Sequence, residues 1–277
     1  MSITFSTCFY IIKSKFDENI YSEWMTNLFS IVNHFNLVIY TNKKSFKIIQ
    51  NINDKNNLIK NNSNIKIVIK SMKNFYNYQY KKYWIKNHKK NESLKNTSWK
   101  LNMLWSEKIW FVKKTIEKKY FDTEFYGWCD IGYFRNRYND LHSNNLFNWG
   151  NNVEFLKKIY NNKNKICYAC INNNDNYMKQ FSQFINDKNY KGLPKQEIPV
   201  NQQSFAGGFF ILHKDEIKWW STTYDDKLKL YFKNNYLVKD DQFIIADCIL
   251  SNQEHFSLFR ENKLEFDNWF MFQRILL

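Results

Sequence analysis

The chain has 277 residues, 44% of them hydrophobic and 19% aromatic, which supplies enough apolar side chain for a large core and excludes a disordered protein. Six Gly and two Pro leave no glycine-rich phosphate cradle of the Walker or dinucleotide type, so any phosphate must be held by other groups. A formal charge of +15 points to an anionic partner, with nucleic acid, anionic lipid headgroups and nucleotide phosphates all eligible.

Residues 3–12 are predicted as a central strand, because the run is apolar and rich in β-branched and aromatic residues. They carry no basic leader or cleavage site, and no apolar run approaches membrane-spanning length. A soluble, cytoplasmic protein is therefore expected, with surface contact to an anionic membrane the one membrane role that charge leaves open. A helix over 19–34 follows, with Trp24, Leu28, Ile31 and Val32 at helical spacing, then a strand at 37–40, a helix at 43–52, an Asn-rich loop over 51–64 and a strand at 65–69. Strands alternating with helices predict a largely parallel sheet, and the absence of any Pro-, Gly- or Ser-rich linker predicts one domain over 1–277.

Between 74 and 90, Tyr76, Tyr78, Tyr80, Tyr83 and Trp84 interleave with Lys81, Lys82, Lys86, Lys89 and Lys90. Rings and cations mixed in this way stack on bases and track phosphates in single-strand binders, and a mobile loop or a solvated helix has the same composition. One long helix is predicted from a cap at Thr97 or Ser98 to about 119, with Lys108 on the same stripe as Leu101, Leu104, Trp105, Val112 and Ile116. A lysine there either runs its stem past the core to water or meets an anion.

The aromatic strand 125–129 then runs into Asp130 and Gly132, with Arg135 and Arg137 close behind. In open α/β sheets ligands bind beyond the carboxyl ends of the strands, which gives Asp130 a functional reading beside the plainer one of a turn-starting Asp. Cys167 and Cys170 have zinc-ligand spacing but lack a second pair, and they fall on a strand read over 165–171. Reduced, buried thiols are expected for all five cysteines. After an irregular connection over 188–203, Gly207 and Gly208 open an apolar strand, as happens where backbone bends or something approaches it closely. Asp240, Asp241 and Gln242 start a later helix; capping and the helix dipole explain one of the acids and leave the other to be accounted for.

Taken in order, an Asp after an aromatic strand, a glycine pair opening a later strand and Asp-Asp-Gln at a following helix resemble the nucleotide-sugar glycosyltransferases of the GT-A fold. Tyr40-Thr41, the 99–108 segment, Trp128 to Gly132, Phe205 to Gly208 and Asp240 to Gln242 are similar, more narrowly, to the HtrL/YibB type of bacterial glycosyltransferases. The resemblance implies an α/β GT-A (Rossmann-like) mixed, mostly parallel sheet flanked by helices. It also implies transfer of a sugar from a nucleotide donor, a UDP-sugar being expected, to a glycan or other hydroxyl acceptor.

Asp130 matches the first acid of the DxD motif that holds Mn²⁺ or Mg²⁺ against the diphosphate, whereas Gly132 stands at the second. A single carboxylate with substrate oxygens can hold a hydrated ion, and His213 or His255 is a further candidate ligand. Lys108 and Arg135 are expected to supply positive charge at the diphosphate, and the backbone of Gly207 and Gly208 to pass close to the sugar. Gln242 joins the donor site; Asp241, then Asp240, is the candidate base, or Asp241 positions the sugar, with the helix N-terminus expected to lower its pKa. The rival readings are a nucleic-acid-binding protein using 74–90 and a catalytically silent nucleotide- or glycan-binding relative.

Overall fold

The structure is a computed structural model that describes residues 2–14, 16–59 and 62–277. Among the described residues the strands are β1 (Ile3–Phe9), β2 (Asn36–Thr41), β3 (Ile65–Ile69), β4 (Phe125–Cys129), β5 (Ile166–Ala169), β6 (Phe209–His213) and β7 (Phe256–Phe259). They form one sheet in the order β3-β2-β1-β4-β6-β5-β7. Strand β6 is antiparallel to β4 and β5, and the remaining pairs are parallel. The helices are α1 (Glu18–Ser30), α2 (Lys43–Asn56), α3 (Lys81–His88), α4 (Trp99–Ser106), α5 (Lys108–Lys118), α6 (Val153–Asn161), α7 (Asp175–Asn186), α8 (Ile217–Lys233), α9 (Asp241–Ser251) and α10 (Phe272–Ile275).

Because side chains alternate along a strand, the sheet feeds two cores. One layer takes Phe5, Phe125, Cys129 and Phe209 and packs under α1, α2, α6 and α10; the other takes Cys8, Tyr126, Trp128 and Phe210 and packs under α4, α5, α7, α8 and α9. Strands covered on both faces have no solvated side, which is why β4 and β6 are almost wholly apolar and why the hydroxyls of Thr4 and Ser6 on β1 are paired inside the protein with Thr123 and Thr115 at 2.9 and 2.8 Å. Cys167 and Cys170 belong to opposite layers, so they cannot share a metal ion. All five cysteines are buried, free thiols. No helix among the described residues is long and apolar enough to cross a membrane.

Several local boundaries follow from caps. The Asp17 carboxylate accepts from the Asn19 and Ile20 amides at 2.9 and 3.0 Å and starts α1. The Asn42 side chain accepts from the Ser45 amide at 2.8 Å and starts α2, which runs to Asn56 rather than 52 and stops at Asn57 in the left-handed region (φ 52°).

The single helix expected over 97–119 is two helices. At Glu107 the amide bonds the Leu104 carbonyl, three residues back, and the ladder pinches. The buried Glu107 carboxylate accepts from the Tyr76 and Asn77 amides at 2.8 and 2.9 Å and from the Asn77 side chain at 3.0 Å, which ties the break to the 74–90 segment. That segment forms 3₁₀ turns and the helix α3, with its lysines exposed and several of its rings packed on neighbouring elements. Tyr76 stacks on Trp110 with 4.6 Å between ring centroids, Tyr83 stacks on Phe232 at 5.5 Å, Trp84 is buried, and Lys81 lies over Tyr78 and Trp99. Tyr76 and Tyr80 both donate to the Asp225 carboxylate, at 2.7 and 2.9 Å. Tyr76 thus packs on α5 and Tyr83 and Trp84 on α8.

Candidate active site

The direction of β6 brings the parts of the site together. Since β6 runs antiparallel to β4, with Phe209 opposite Cys129, the residues just before β6 lie beside those just after β4. Asp130 therefore meets the glycine pair, and its amide donates to the Gly208 carbonyl at 2.9 Å. The first residue of α5 and the first turn of α9 close on the same edge of the sheet, adding Lys108, Asp240, Asp241 and Gln242.

Lys108 sits at the centre. Its ammonium donates to the Gly207 carbonyl at 2.8 Å, and it is 3.0 Å from Asp241 Oδ2 and 3.2 Å from Asp130 Oδ1. The contact with Asp241 Oδ2 is a buried ion pair. The side chain is buried; of the two fates open to it, meeting an anion is the one realised, and it meets two. Burial opposes the charge, but Asp130 and Asp241 outweigh it and hold the Lys108 pKa above the usual lysine value. The Trp128 indole also donates to Asp130 Oδ1, at 2.6 Å, leaving Oδ2 directed toward Gly208.

The twin glycines are explained by close approach rather than by backbone conformation. A Cβ on Gly207 would lie 2.8 Å from Asp241 Oδ2, and one on Gly208 would lie 3.2 Å from Asp130 Oδ2. Each glycine thus makes room for one carboxylate. Asp240 is the cap of α9, accepting from the Gln242 amide at 3.1 Å, and the Gln242 side chain donates to the Phe205 carbonyl at 3.2 Å. Asp241 is the inward acid. Its pKa departs from the sequence expectation: burial pushes it up to about 7, with Asp240 and Asp130 adding to the rise and the Lys108 ammonium opposing it. Desolvation wins over the helix dipole here because the carboxylate is inside the protein, not at a wet helix end.

These groups line a cavity of about 420 Å³, and all eight sequence-predicted site residues lie on its wall: Lys108, Asp130, Arg135, Gly207, Gly208, Asp240, Asp241 and Gln242. Its aromatic wall comes from Tyr21, Trp24, Trp105, Trp128, Trp269 and Phe270. Sequence reading missed that wall, since Trp24 and Trp105 have the spacing of ordinary core residues. Arg135 reaches the cavity with its guanidinium carbon 4.3 Å from the Trp24 ring centroid and 4.9 Å from that of Phe270.

The histidines do not belong here. His213 ends β6 on the far edge of the sheet, against Phe125 and Asp215, and His255 stacks on Trp219. No group of three or more His, Cys, Asp or Glu among the described residues could hold a metal ion. At the DxD position the chain offers the Asp130 carboxylate alone, and the Lys108 ammonium already stands between it and Asp241, 3.2 and 3.0 Å from the two acids. Position 132 cannot restore the missing acid, because a Cβ there would lie 2.5 Å from Trp24 Cε3. Gly132→Asp is expected to cost about 1–3 kcal/mol through overpacking and to leave the melting temperature equally insensitive to Mn²⁺. Melting curves with and without the ion check this, and Mn²⁺-dependent stabilisation of the variant would contradict it.

No protein-family model matches the chain, and no curated protein matches it in sequence. Among solved structures, mouse xyloside xylosyltransferase 1 in its apo form superposes with a TM-score of 0.50 at 12% identity, covering 94% of this chain and 86% of that one. The fold is that of the GT-A glycosyltransferases. The galactosyltransferase LgtC, solved with donor and acceptor sugar analogs, matches with a TM-score of 0.47 at 9% identity, over 94% of this chain and 73% of the other. The sheet expected from sequence, mixed and mostly parallel with flanking helices, is the sheet observed.

Proposed function

We propose that this chain is a glycosyltransferase that moves a sugar from a nucleotide donor, expected to be UDP-linked, to a hydroxyl of a glycan or similar acceptor. The observation that carries the reading is the convergence of Asp130, the twin glycines, Lys108 and Asp241 on one aromatic-walled cavity at the edge where a GT-A sheet offers its ligand site. The HtrL/YibB type is the narrower resemblance. The five buried thiols support a reducing, cytoplasmic setting.

Transfer breaks the bond between the sugar's C1 and the diphosphate, forms one from C1 to the acceptor oxygen and releases the acceptor's proton. In this reading the aromatic wall takes the base, and the glycine carbonyls and Gln242 lie along the sugar. Asp241 takes the proton: a carboxyl held near 7 is a stronger base than an ordinary aspartate while still being substantially ionised at neutral pH. Lys108 keeps that carboxylate oriented and offsets its burial. The same ion pair favours a second reading, a silent nucleotide-sugar binder in which Lys108 neutralises both acids.

The test is thermal-shift titration with UDP, GDP and their sugars, followed by assay of donor hydrolysis and transfer. A nucleotide at a hundred times its Kd is expected to stabilise the fold by about 2.7 kcal/mol. Binding with turnover supports the transferase, binding without turnover selects the silent relative, and absence of any nucleotide-dependent shift overturns both.

A further inference from the structure

We propose, resting on the donor reading above, that this chain holds its donor's diphosphate without a divalent cation, with Arg135 as the cation that faces the phosphates. The residue that removes the second acid also seats the arginine. The Gly132 carbonyl accepts from Arg135 Nε at 2.7 Å, and the missing Cβ at 132 lets Trp24 close in, so that the guanidinium carbon lies 4.3 Å from the Trp24 ring centroid and 4.9 Å from that of Phe270. Arg137, two residues on, is committed: it pairs with Asp140 at 3.1 Å and with Asp267 at 2.7 Å. Arg135 has no ion pair among the described residues, and its one hydrogen bond uses Nε, so the two terminal nitrogens are left for the cavity that it lines. A guanidinium fixed through its Nε and packed against aromatic rings presents a planar pair of donors, the geometry that matches two oxygens of a phosphate. A dication at the same place would compete with the Lys108 ammonium for Asp130 and Asp241 and would face the Arg135 guanidinium as well.

Calorimetric titration of the intact protein with a panel of nucleoside diphosphates (UDP, GDP, ADP, CDP and dTDP) and their parent nucleosides, in excess EDTA and in Mn²⁺ or Mg²⁺, tests this. The preferred diphosphate is expected to bind in EDTA within about threefold of its affinity with metal. Arg135→Gln is expected to weaken the diphosphate by about ten- to a hundredfold and to leave the nucleoside's affinity unchanged. Should that variant fold poorly, Arg135→Lys retains the charge without the fork and is expected to fall between the two. Diphosphate binding that requires the metal, or that Arg135→Gln leaves intact, overturns the proposal and spares the donor reading. Failure of every diphosphate to bind under all three conditions overturns both.

Discussion

Lys108→Met is expected to destabilise the protein by about 3–5 kcal/mol, because it removes the cation from between two carboxylates and leaves the buried one uncompensated. In a chain of this size that is a fall in melting temperature on the order of 10 °C. The ammonium itself stays protonated through the neutral range: its folded pKa is raised, so the stability it confers is complete below the ordinary lysine pKa and is lost only as pH rises through the folded value. The loss in Lys108→Met should accordingly grow with pH, being small at pH 5, where Asp241 holds a proton and does not need the ammonium, and reaching its full size above pH 8, where the parent's Asp241 is ionised. Adding Asp241→Asn to Lys108→Met removes the uncompensated charge and is expected to recover part of the stability, so the double-mutant cycle should show a coupling of about 1–3 kcal/mol. Additive melting temperatures, or a Lys108→Met variant that melts within a degree of the parent above pH 8, would show that the ammonium is not what holds the two acids together.

The elements that place these groups were legible to different degrees, and the reason is range. Asp130 at the end of an aromatic strand, the glycine pair before another strand and the acids opening α9 are all local signals, because a strand end, a close backbone approach and a helix cap are each written in a few consecutive residues. The break at Glu107 was not legible. It depends on the amides of Tyr76 and Asn77 and on Lys70, about thirty or more residues away, and a buried acid on an apolar stripe looks like a minor flaw in one helix until those partners are seen. The 74–90 segment was hard to read for the same reason: aromatic rings interleaved with lysines suit a nucleic-acid surface and a packed layer equally well, and the ring contacts with Trp110 and Phe232 and the hydrogen bonds to Asp225 come from distant parts of the chain. The Asp241 pKa was misjudged in direction because a helix start is visible in sequence and the depth of its burial is not.

Asp241→Asn is expected to lower the rate of transfer by about 10²–10⁴-fold, the usual share of a positioned general base, with a much smaller effect on donor binding. The pH dependence gives the test its sharpness. A base with a folded pKa of about 7 predicts activity that rises with pH across neutrality and levels off above it, and in Asp241→Asn that limb should vanish together with most of the rate. Stability should move the opposite way. The folded protein binds a proton at Asp241 that the unfolded chain gives up near 3.8, so this group's contribution to stability is complete below about 4 and is lost as pH rises toward 7. Asp241→Asn removes that loss, and the variant should melt closer to the parent at pH 5 than at pH 8, where it should be the more stable of the two. Asp240→Asn provides the comparison, since asparagine caps a helix as well as aspartate does and the cap is what Asp240 is seen to supply. It is expected to retain activity within about threefold if its work is capping alone. Transfer rates from pH 5.5 to 8.5 and melting temperatures over the same range separate the two acids. Equal losses in both variants, or an unchanged acid limb in Asp241→Asn, would take the proton from Asp241 and leave it a residue that positions the sugar.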